Sequence, residues 1–367
     1  MRVALVHDWL NQRGGAENVL EVLVEMFPRA PIYTSMYWPQ AMPRFYRQWD
    51  IRTSWLDRLP LIKARHQPFL PLYPLAFQGF DLSDYDLVLS NKSGFCHGVR
   101  TTPAATHICY CLTPTRYLWE FERYVAQEAL GPLARLLVPP LLGSLRRWDL
   151  DAAERVTALV AISREVRTRI STFYHRDSTI IYPPVDTGRF QPVEDQDDYF
   201  LVVSRLVPYK RIDLAVEACT KLSLPLVIIG EGRDRTRLEA LAGPTVRFLG
   251  WAPDAERTRY MSRCRAFLFP GREDFGIAPL EAQAARRPVI AYAAGGALDT
   301  VIEGETGVFF HQPTAEALVE TLLHFDEGDY DPTIIRQNAE RFDTAVFKHK
   351  LREFIHEVLE KEDSSHR

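Results

Sequence analysis

Short apolar runs recur along the whole chain, and longer stretches with the spacing of amphipathic helices separate them. Runs that are continuous rather than alternating are typical of parallel strands covered on both faces. They predict buried strands at residues 3–6, 87–89, 108–111 and 158–162, and again at 200–203, 226–229, 246–249, 266–269 and 289–291. The chain is therefore predicted to be an α/β protein with two series of parallel strands.

A proline-rich break separates the two series. It begins at Tyr182-Pro183-Pro184-Val185-Asp186 and leads into a polar, acidic stretch at residues 194–198. At about 150 residues per domain, 367 residues fit two domains. We expect two doubly wound Rossmann-like domains that face each other across a cleft, over residues 1–185 and 186–345. A final helix over 346–367 is expected to pack back on the first domain.

The segment between residues 39 and 79 has no regular pattern, and its prolines break any long helix. A second unusual stretch, residues 117–148, is apolar with interspersed arginines. Together they suggest a face for a lipid-linked substrate or a bilayer, or else loops and helices packed on one domain, which we favour. The cations of this surface are Arg58, Lys63, Arg65, Arg135, Arg146 and Arg147.

Composition excludes several classes of protein. With 44 Lys and Arg against 48 Asp and Glu, the net charge is −4, so nucleic acid is not an expected partner. No stretch has the roughly 18 apolar residues of a membrane span, and the N-terminus does not resemble a signal peptide. The five cysteines are few and unpatterned, and Cys109 and Cys111 are expected to be buried side chains. We therefore expect a cytoplasmic protein without a metal site.

The most informative segment is GREDFGIAPLEA, residues 271–282, directly after a predicted strand. Asp274 is a plausible N-cap of the helix that follows, and Pro279 fits its first turn. The backbone amides of Phe275, Gly276 and Ile277 would then lie at a helix N-terminus, which favours a phosphate group.

Two carboxylates bracket this helix start, Glu273 before it and Glu281 about one turn inside it. A carboxylate can accept hydrogen bonds from two sugar hydroxyls at once. The spacing therefore suits a ligand with one sugar on each side of a diphosphate.

Two further loops follow predicted strands at their carboxyl ends, where open α/β sheets bind ligands. One holds Arg205 and Lys210, whose permanent charges suit a leaving diphosphate. The other holds Gly14 and Gly15, which allow close approach of a ligand to the backbone. This double glycine differs from the G-x-G-x-x-G pattern of nicotinamide enzymes.

These residues carry a resemblance that covers nearly the whole chain. Its marks are HDWL at residues 7–10, GGAE at 14–17, TPTRY at 113–117, PPVD at 183–186, SRLVPYK at 204–210, the two glutamates and GG at 295–296. The chain resembles retaining glycosyltransferases of family 4, also called group 1, which have the GT-B architecture. Within that family it is most similar to bacterial GDP-mannose-dependent mannosyltransferases of polysaccharide assembly.

The resemblance implies a role for each matching residue. Arg205 and Lys210 would bind the donor diphosphate, Glu273 the transferred sugar and Glu281 the nucleotide ribose, and the first three would be the catalytic residues. Phosphate would also be bound by the amides of Phe275, Gly276 and Ile277, and Gly14 and Gly15 would approach the donor from the first domain. Weaker acceptor-side candidates are Asp8, His107 and Arg116.

The resemblance also implies the substrates. They are a nucleotide-sugar donor and a glycan or polyprenyl-linked glycan acceptor, with peripheral contact to the inner face of the cell membrane and no metal or cofactor. The candidate D-x-D sequence, Asp149-Leu150-Asp151, falls in a helical stretch, so we interpret it as a helix surface rather than a metal site.

Two positions depart from the family pattern. Leu112 stands where many relatives have a histidine near the transferred sugar, which leaves the catalytic base open. His107, five residues earlier, is more readily a structural residue. Arg286 stands where relatives have glycine, either as a simple helix end or with a reshaped turn.

Two other classes remain open beside the transferase: a sugar-nucleotide epimerase or hydrolase of the same fold, and a non-catalytic sugar-nucleotide-binding protein. Incubating the protein with donor, with and without a glycan acceptor, separates the three. The nucleotide base, expected near residues 230–232 and 250–251, and the acceptor are not determined by the sequence.

Overall fold

The computed structural model describes residues 1–64, 66–121, 132–191, 193 and 195–365. The chain divides into two compact units, each with its own parallel sheet. Unit 1 comprises Met1–Pro184 and Phe347–Arg367, and unit 2 comprises Val185–Val346.

Unit 1 contains a seven-stranded sheet in the order β3-β2-β1-β4-β5-β6-β7. Its strands are β1 Val3–His7, β2 Ile32–Thr34, β3 Ile51–Thr53, β4 Leu87–Lys92, β5 Thr106–Cys111, β6 Ala158–Ala161 and β7 Thr179–Ile180. Its helices are α1 Gly15–Met26, α2 Tyr73–Gln78, α3 Arg116–Trp119, α4 Pro132–Glu154 and α5 Arg164–Tyr174. Every strand pair of this sheet is parallel.

Unit 2 contains a six-stranded parallel sheet in the order β10-β9-β8-β11-β12-β13. Its strands are β8 Phe200–Val203, β9 Leu226–Ile229, β10 Val246–Gly250, β11 Ala266–Phe269, β12 Val289–Tyr292 and β13 Gly307–Phe310. Its helices are α6 Ile212–Leu222, α7 Arg235–Leu241, α8 Asp254–Arg263, α9 Ile277–Ala284, α10 Ala297–Thr300, α11 Ala315–His324 and α12 Pro332–Glu340.

Both sheets have the strand order of a doubly wound fold, as the sequence predicted. In each, the direction of winding reverses between the first and fourth strands, β1 and β4 in unit 1 and β8 and β11 in unit 2. Ligands bind open α/β sheets outside the carboxyl ends of the strands at such a reversal. The segments that follow these four strands are therefore the ones to inspect for a site.

The last helix, α13 Thr344–Ser365, begins in unit 2 and continues into unit 1. Its Phe347 is buried, with the ring 5.6 Å from that of Tyr110 in β5. Lys348 Nζ lies 2.6 Å from a carboxylate oxygen of Glu25 in α1. The C-terminal helix is thus packed on the first sheet from Phe347 onward.

The irregular segment at residues 39–79 forms short 3₁₀ helices and the six-residue helix α2, in keeping with its prolines. Several of its aromatic side chains are core residues, because Tyr73 and Phe77 are fully buried. Among the described residues, no helix is both long and apolar enough to cross a bilayer.

Candidate active site

The reversal point of unit 2 brings together two of the predicted catalytic residues. Lys210 ends a 3₁₀ turn, Pro208–Lys210, after β8, and Glu273 follows β11. Their side chains form an ion pair, with only 13% and 21% of their surfaces exposed. A Cβ on Gly271 would lie 2.7 Å from the carbonyl oxygen of Lys210, so glycine is needed where the two loops meet.

The ion pair changes the prediction for these two side chains. The sequence assigned Lys210 to a diphosphate and Glu273 to a sugar, as independent ligand groups. In the structure each is the other's partner. A diphosphate bound at Lys210 would have to share the ammonium group with the Glu273 carboxylate or displace it.

Arg205, the second predicted cation, is exposed at the start of the same loop. Its Nη2 donates to the hydroxyl of Tyr209 at 3.2 Å, and Lys210 Nζ lies 5.3 Å from the centre of the Tyr209 ring. Tyr209 therefore connects the two cations that follow β8.

The helix after β11 begins later than the sequence predicted. Asp274 is not its N-cap, because α9 starts at Ile277 and Gly276 is the capping residue. Gly276 has φ of +104°, and a Cβ there would lie 2.8 Å from Cζ of Phe269. Only glycine adopts this conformation without strain, so the backbone reverses at Gly276 and the helix cannot start earlier.

This start refines the prediction of an anion cradle. Ile277 is the first residue of α9 and Gly276 is its cap. Phe275 lies before the helix, and its ring is buried with its centre 5.8 Å from that of the Phe342 ring. Amides in the first turn of a helix have no carbonyl partner within that helix. The helix dipole and these amides favour an anion at Gly276 and Ile277.

Glu281 lies in α9 with 13% of its side-chain surface exposed. Burial raises the pKa of its carboxyl group, and the nearby guanidinium groups of Arg257 and Arg189 partly oppose that shift. Arg257 Nη2 is 3.9 Å from Glu281 Oε1. Both arginines also contact Asp254, at 3.2 Å and 3.4 Å.

The sequence analysis missed Arg189, Asp254 and Arg257. They come from a 3₁₀ turn after the interdomain break and from α8, so no local motif links them to Glu281. Within the described part of the chain, Arg189 Nε and Nη2 and Arg257 Nε are buried without a hydrogen-bond partner. The surroundings of Glu281 therefore contain donors that a ligand could use.

The reversal point of unit 1 is organised by Asp8, which is 1% exposed. Its carboxylate accepts hydrogen bonds from the amides of Ser93, Gly94, Phe95 and Cys96 at 2.6–2.8 Å. The Ser93 hydroxyl adds a fifth at 3.2 Å. This arrangement fixes the loop after β4 and gives Asp8 a structural role beneath it.

The double glycine opens α1, as predicted, with Gly14 as its cap. A Cβ on Gly14 would meet only a carboxylate oxygen of Glu17 at 3.4 Å, an ordinary contact, and its φ of −158° suits any residue. The fold itself therefore does not require glycine at this position.

A buried trio lies behind this turn. Glu17 Oε1 is 3.2 Å from His7 Nε2, and Asn91 Nδ2 is 3.3 Å from His7 Nδ1 and 2.7 Å from the carbonyl oxygen of Ala16. Because the Asn91 amide donates to Nδ1, the Nε2 nitrogen carries the proton and donates to Glu17. The trio connects β1 and β4 to the start of α1.

His107 and Arg116 lie at opposite ends of β5 in the chain. His107 is 1% exposed near the amino end of β5, with Nε2 2.9 Å from the Ser90 hydroxyl, and burial lowers its pKa to about 4. This placement favours the structural interpretation of His107. Arg116 begins α3, beyond the carboxyl end of β5, and Leu112 at that end is 9% exposed.

The interpretation of Asp149 as a helix-surface residue was wrong. It lies in α4, as predicted, but its side chain points to the interior and is fully buried. Three side chains there, Thr115, Trp119 and Tyr174, donate hydrogen bonds to its carboxylate. Asp151 is exposed. The two therefore do not form a pair, and the described residues contain no group of three His, Cys, Asp or Glu side chains suited to a metal.

Arg286, two residues after the end of α9, has φ of +63°, the left-handed conformation that glycine adopts readily. The left-handed position after the helix is therefore present in this chain, with some backbone strain. Of the remaining predictions, Arg65 and the side chain of Arg135 lie outside the described residues.

Comparison with known proteins identifies similar sequences and structures. The family model described as "Glycosyl transferases group 1" matches residues 186–342, nearly all of unit 2. A GDP-mannose-dependent alpha-(1-6)-phosphatidylinositol monomannoside mannosyltransferase of Mycobacterium tuberculosis is 30% identical over 253 residues, 59% of this chain and 65% of that protein. The chain spans little more than half the length of the first curated relatives it matches, 54%, 59% and 56%.

Solved structures resemble the chain over almost its full length. Sucrose-phosphate synthase from Thermosynechococcus elongatus matches with a TM-score of 0.73 at 17% identity, covering 98% of this chain and all of that one. Anabaena HepE, solved with UDP and glucose, matches with a TM-score of 0.72 at 16% identity, covering 97% and 100%. At these identities the likeness concerns the fold, and it confirms the predicted GT-B fold class. The family match lies within unit 2, so the similarity to group 1 glycosyltransferases at the level of sequence rests on residues 186–342.

Proposed function

We propose that this chain is a retaining glycosyltransferase that moves a hexose, mannose in the first instance, from a nucleotide diphosphate sugar to a glycan or polyprenyl-linked glycan. The observation that carries the proposal is the grouping in unit 2 of Lys210 and Glu273 beside a helix start, with Glu281 further along that helix. Glu273 matches a sugar, the cation and the amides of the helix start match a diphosphate, and Glu281 matches a ribose.

The relatives support mannose and guanosine as the first donor to test. The Mycobacterium tuberculosis relative is named as GDP-mannose-dependent, whereas the solved HepE complex contains UDP and glucose. A direct screen of nucleotide sugars is therefore needed to identify the sugar and the base of the donor.

The residues of unit 2 suggest how transfer would proceed. The bond between the sugar's anomeric carbon and the diphosphate breaks, and the acceptor oxygen bonds to that carbon on the same face. The departing phosphate takes the acceptor's proton. Lys210 and Arg205 would stabilise the charge that grows on the diphosphate, so we propose that no metal is needed.

Glu281 would hold the ribose through both of its hydroxyls. Its carboxylate is largely buried, and the buried nitrogens of Arg189 and Arg257 that have no described partner offer donors to the ribose or the base. These contacts would give the nucleotide its affinity, while Lys210 and Glu273 act on the part that reacts.

The acceptor would bind at unit 1, and Gly14 at the start of α1 would leave room for the donor. Exposed apolar side chains lie in the irregular segment: Trp55 is 44% exposed, Leu61 74% and Leu75 60%. Arg58 is exposed in the same segment. We propose that this face meets the bilayer that holds a polyprenyl-linked acceptor, from the cytoplasmic side, where five free buried cysteines would stay reduced.

A donor screen by thermal unfolding tests the proposal. GDP-mannose, GDP, UDP-glucose, UDP and ADP-glucose are each added to the protein at increasing concentration, with EDTA present throughout. A nucleotide sugar at one hundred times its Kd stabilises the folded state by about 2.7 kcal/mol, which raises Tm measurably. We expect GDP-mannose to give the largest rise, and a protein that none of the five stabilises would contradict the proposal.

A further inference from the structure

A buried cation lies beneath the loop that follows β5. Lys92, the last residue of β4, is fully buried, and its Nζ donates to the carbonyl oxygen of Thr113 at 3.2 Å and to the hydroxyl of Thr115 at 3.1 Å. Burial alone would lower the pKa of Lys92, but the acidic groups around it, Asp149 foremost, together outweigh burial and the net shift of the pKa is upward. Lys92 is therefore a permanent positive charge under this loop.

A buried carboxylate completes the group. Asp149, in α4, accepts hydrogen bonds from Trp119 Nε1 and the Tyr174 hydroxyl, both at 2.7 Å. His97 Nε2 lies 3.4 Å from its Oδ1, and burial lowers the pKa of His97 well below its usual range, so this histidine is neutral. The carboxylate therefore joins side chains from α3, α5 and the turn after β4.

Thr115 connects the two charges. Its hydroxyl accepts from Lys92 Nζ at 3.1 Å, and its single proton is shared between two acceptors, Asp149 Oδ1 at 2.9 Å and the carbonyl oxygen of Gly94 at 2.7 Å. Gly94 belongs to the loop that Asp8 fixes. One hydroxyl thus ties the loop after β4 to the loop after β5, at the carboxyl edge of the unit 1 sheet.

We propose that Lys92 and Asp149 are positioning residues that hold the loop of residues 113–116, through Thr115, in the arrangement that sugar transfer requires. The inference rests on the proposed function for the transfer itself, because this loop borders the edge where the acceptor would bind. Filling the space beneath this loop does not require two buried charges such as Lys92 and Asp149. Apolar side chains of the same size would pack there without ordering two polar loops.

Three variants and one control test the inference on the full chain. Thr115→Val removes the connecting hydroxyl and keeps the side-chain shape. Thr115→Ser keeps the hydroxyl and removes only the methyl group, and Asp149→Asn removes the negative charge. Tyr110→Phe is the matched control, since it removes another buried hydroxyl of unit 1, which donates to the carbonyl oxygen of Ile181 at 2.9 Å. Hydrogen exchange is followed by mass spectrometry over residues 93–98 and 113–120, and GDP affinity and transfer from GDP-mannose to octyl α-mannoside are measured.

We expect Thr115→Val and Asp149→Asn to speed exchange in both segments at least tenfold and to lower transfer at least tenfold, with GDP affinity within twofold of wild type. Thr115→Ser should match wild type in both exchange and transfer, and Tyr110→Phe should change neither the exchange of the two segments nor transfer. Unchanged exchange in Thr115→Val would overturn the inference, as would faster exchange with undiminished transfer. Hydrogen exchange needs no substrate, so it shows whether the network holds the two loops even if the wild-type protein has no transfer activity. Absence of transfer by the wild-type protein would contradict the proposed function instead.

Discussion

At the scale of single residues, the ion pair of Lys210 and Glu273 would decide how unit 2 receives the proposed donor. Both groups are largely buried, so each stabilises the charge of the other in a poorly hydrated place. A diphosphate brings negative charge that competes with Glu273 for Lys210. As that charge grows during departure of the diphosphate, the attraction of Lys210 to it grows too.

Replacing Lys210 with alanine should therefore lower turnover more than donor binding. We expect kcat to fall about 100-fold or more, because the stabilised charge is greatest in the transition state. Steady-state kinetics with varied GDP-mannose measures this. Lys221→Ala, an exposed lysine in the last turn of α6, is the control and should behave as wild type. Unchanged kcat in Lys210→Ala would exclude the role.

Glu281 should control nucleotide affinity and also cost stability. Glu281→Ala is expected to weaken GDP binding by about 2–4 kcal/mol, because two ribose hydroxyls would lose their acceptor. Burial raises the Glu281 pKa, so the folded state binds this proton more tightly than the unfolded chain. Stability is then lost as pH rises from the ordinary glutamate pKa through the raised one.

The isosteric variant Glu281→Gln separates these two effects. Without ligand it should be more stable than wild type at pH 7 and lose that advantage in acid, while GDP binds it more weakly. Urea unfolding at several pH values and calorimetric titration with GDP provide both readings. Lower stability than wild type at pH 7 would contradict the assigned burial cost.

At the scale of secondary-structure elements, the sequence predicted most central strands of each sheet, but it missed β2 and three of the four edge strands, β3, β7 and β13. The central strand β4 is buried along all six residues, so its apolar run is continuous. At the edge of the same sheet, β3 is largely exposed and contains Arg52, and β7 has two residues. Such short, polar strands have no pattern that local reasoning can detect.

The start of α9 was mispredicted for a different reason. Asp274 satisfies the ordinary preference for an N-cap, but the backbone turns at Gly276, whose missing Cβ makes room for Phe269. That packing is a tertiary contact and leaves no mark in the local sequence. The motif itself, with its two glutamates, was nevertheless recognisable.

Gly276→Ala tests the importance of this turn. It should destabilise the protein by about 1–3 kcal/mol, through the strained φ and the contact with Phe269. Gly304→Ala is the matched control, since Gly304 also has a positive φ of +77° but nothing lies within 4 Å of an added Cβ. Urea unfolding should therefore give the larger loss for Gly276→Ala, and equal losses would show that the contact with Phe269 does not matter.

At the scale of the whole molecule, the two units differ in how much their sequences disclose. Unit 2 contains the family match and most of the motif residues, so the sequence alone leads to a proposed donor site there. In unit 1, the buried groups around Asp8 and Asp149 come from distant parts of the chain. Their meeting depends on the folded sheet, and no single motif predicts it.

The proposed bilayer contact of unit 1, through the exposed side chains of Trp55, Leu61 and Leu75, gives a prediction for the intact protein. It should sediment with vesicles containing anionic phospholipid at low salt and be released at high salt, because screening weakens the attraction of its cations. Trp55→Ser should weaken this binding several-fold. Trp251→Ser, which removes a tryptophan of unit 2 that is 74% exposed, should leave it unchanged. Equal retention of both variants, or no binding to either anionic or neutral vesicles, would contradict the proposal.

The most direct test of the central claim is release of GDP from GDP-mannose, with and without a mannoside acceptor such as octyl α-mannoside, together with NMR analysis of the product. Release that depends on the acceptor, with an α-linked mannosyl product, is the expected result, since GDP-mannose carries an α-linked sugar and transfer is proposed to retain that configuration. Acceptor-independent conversion of the donor, no turnover of a donor that binds, or a β-linked product would contradict retaining glycosyl transfer by this chain.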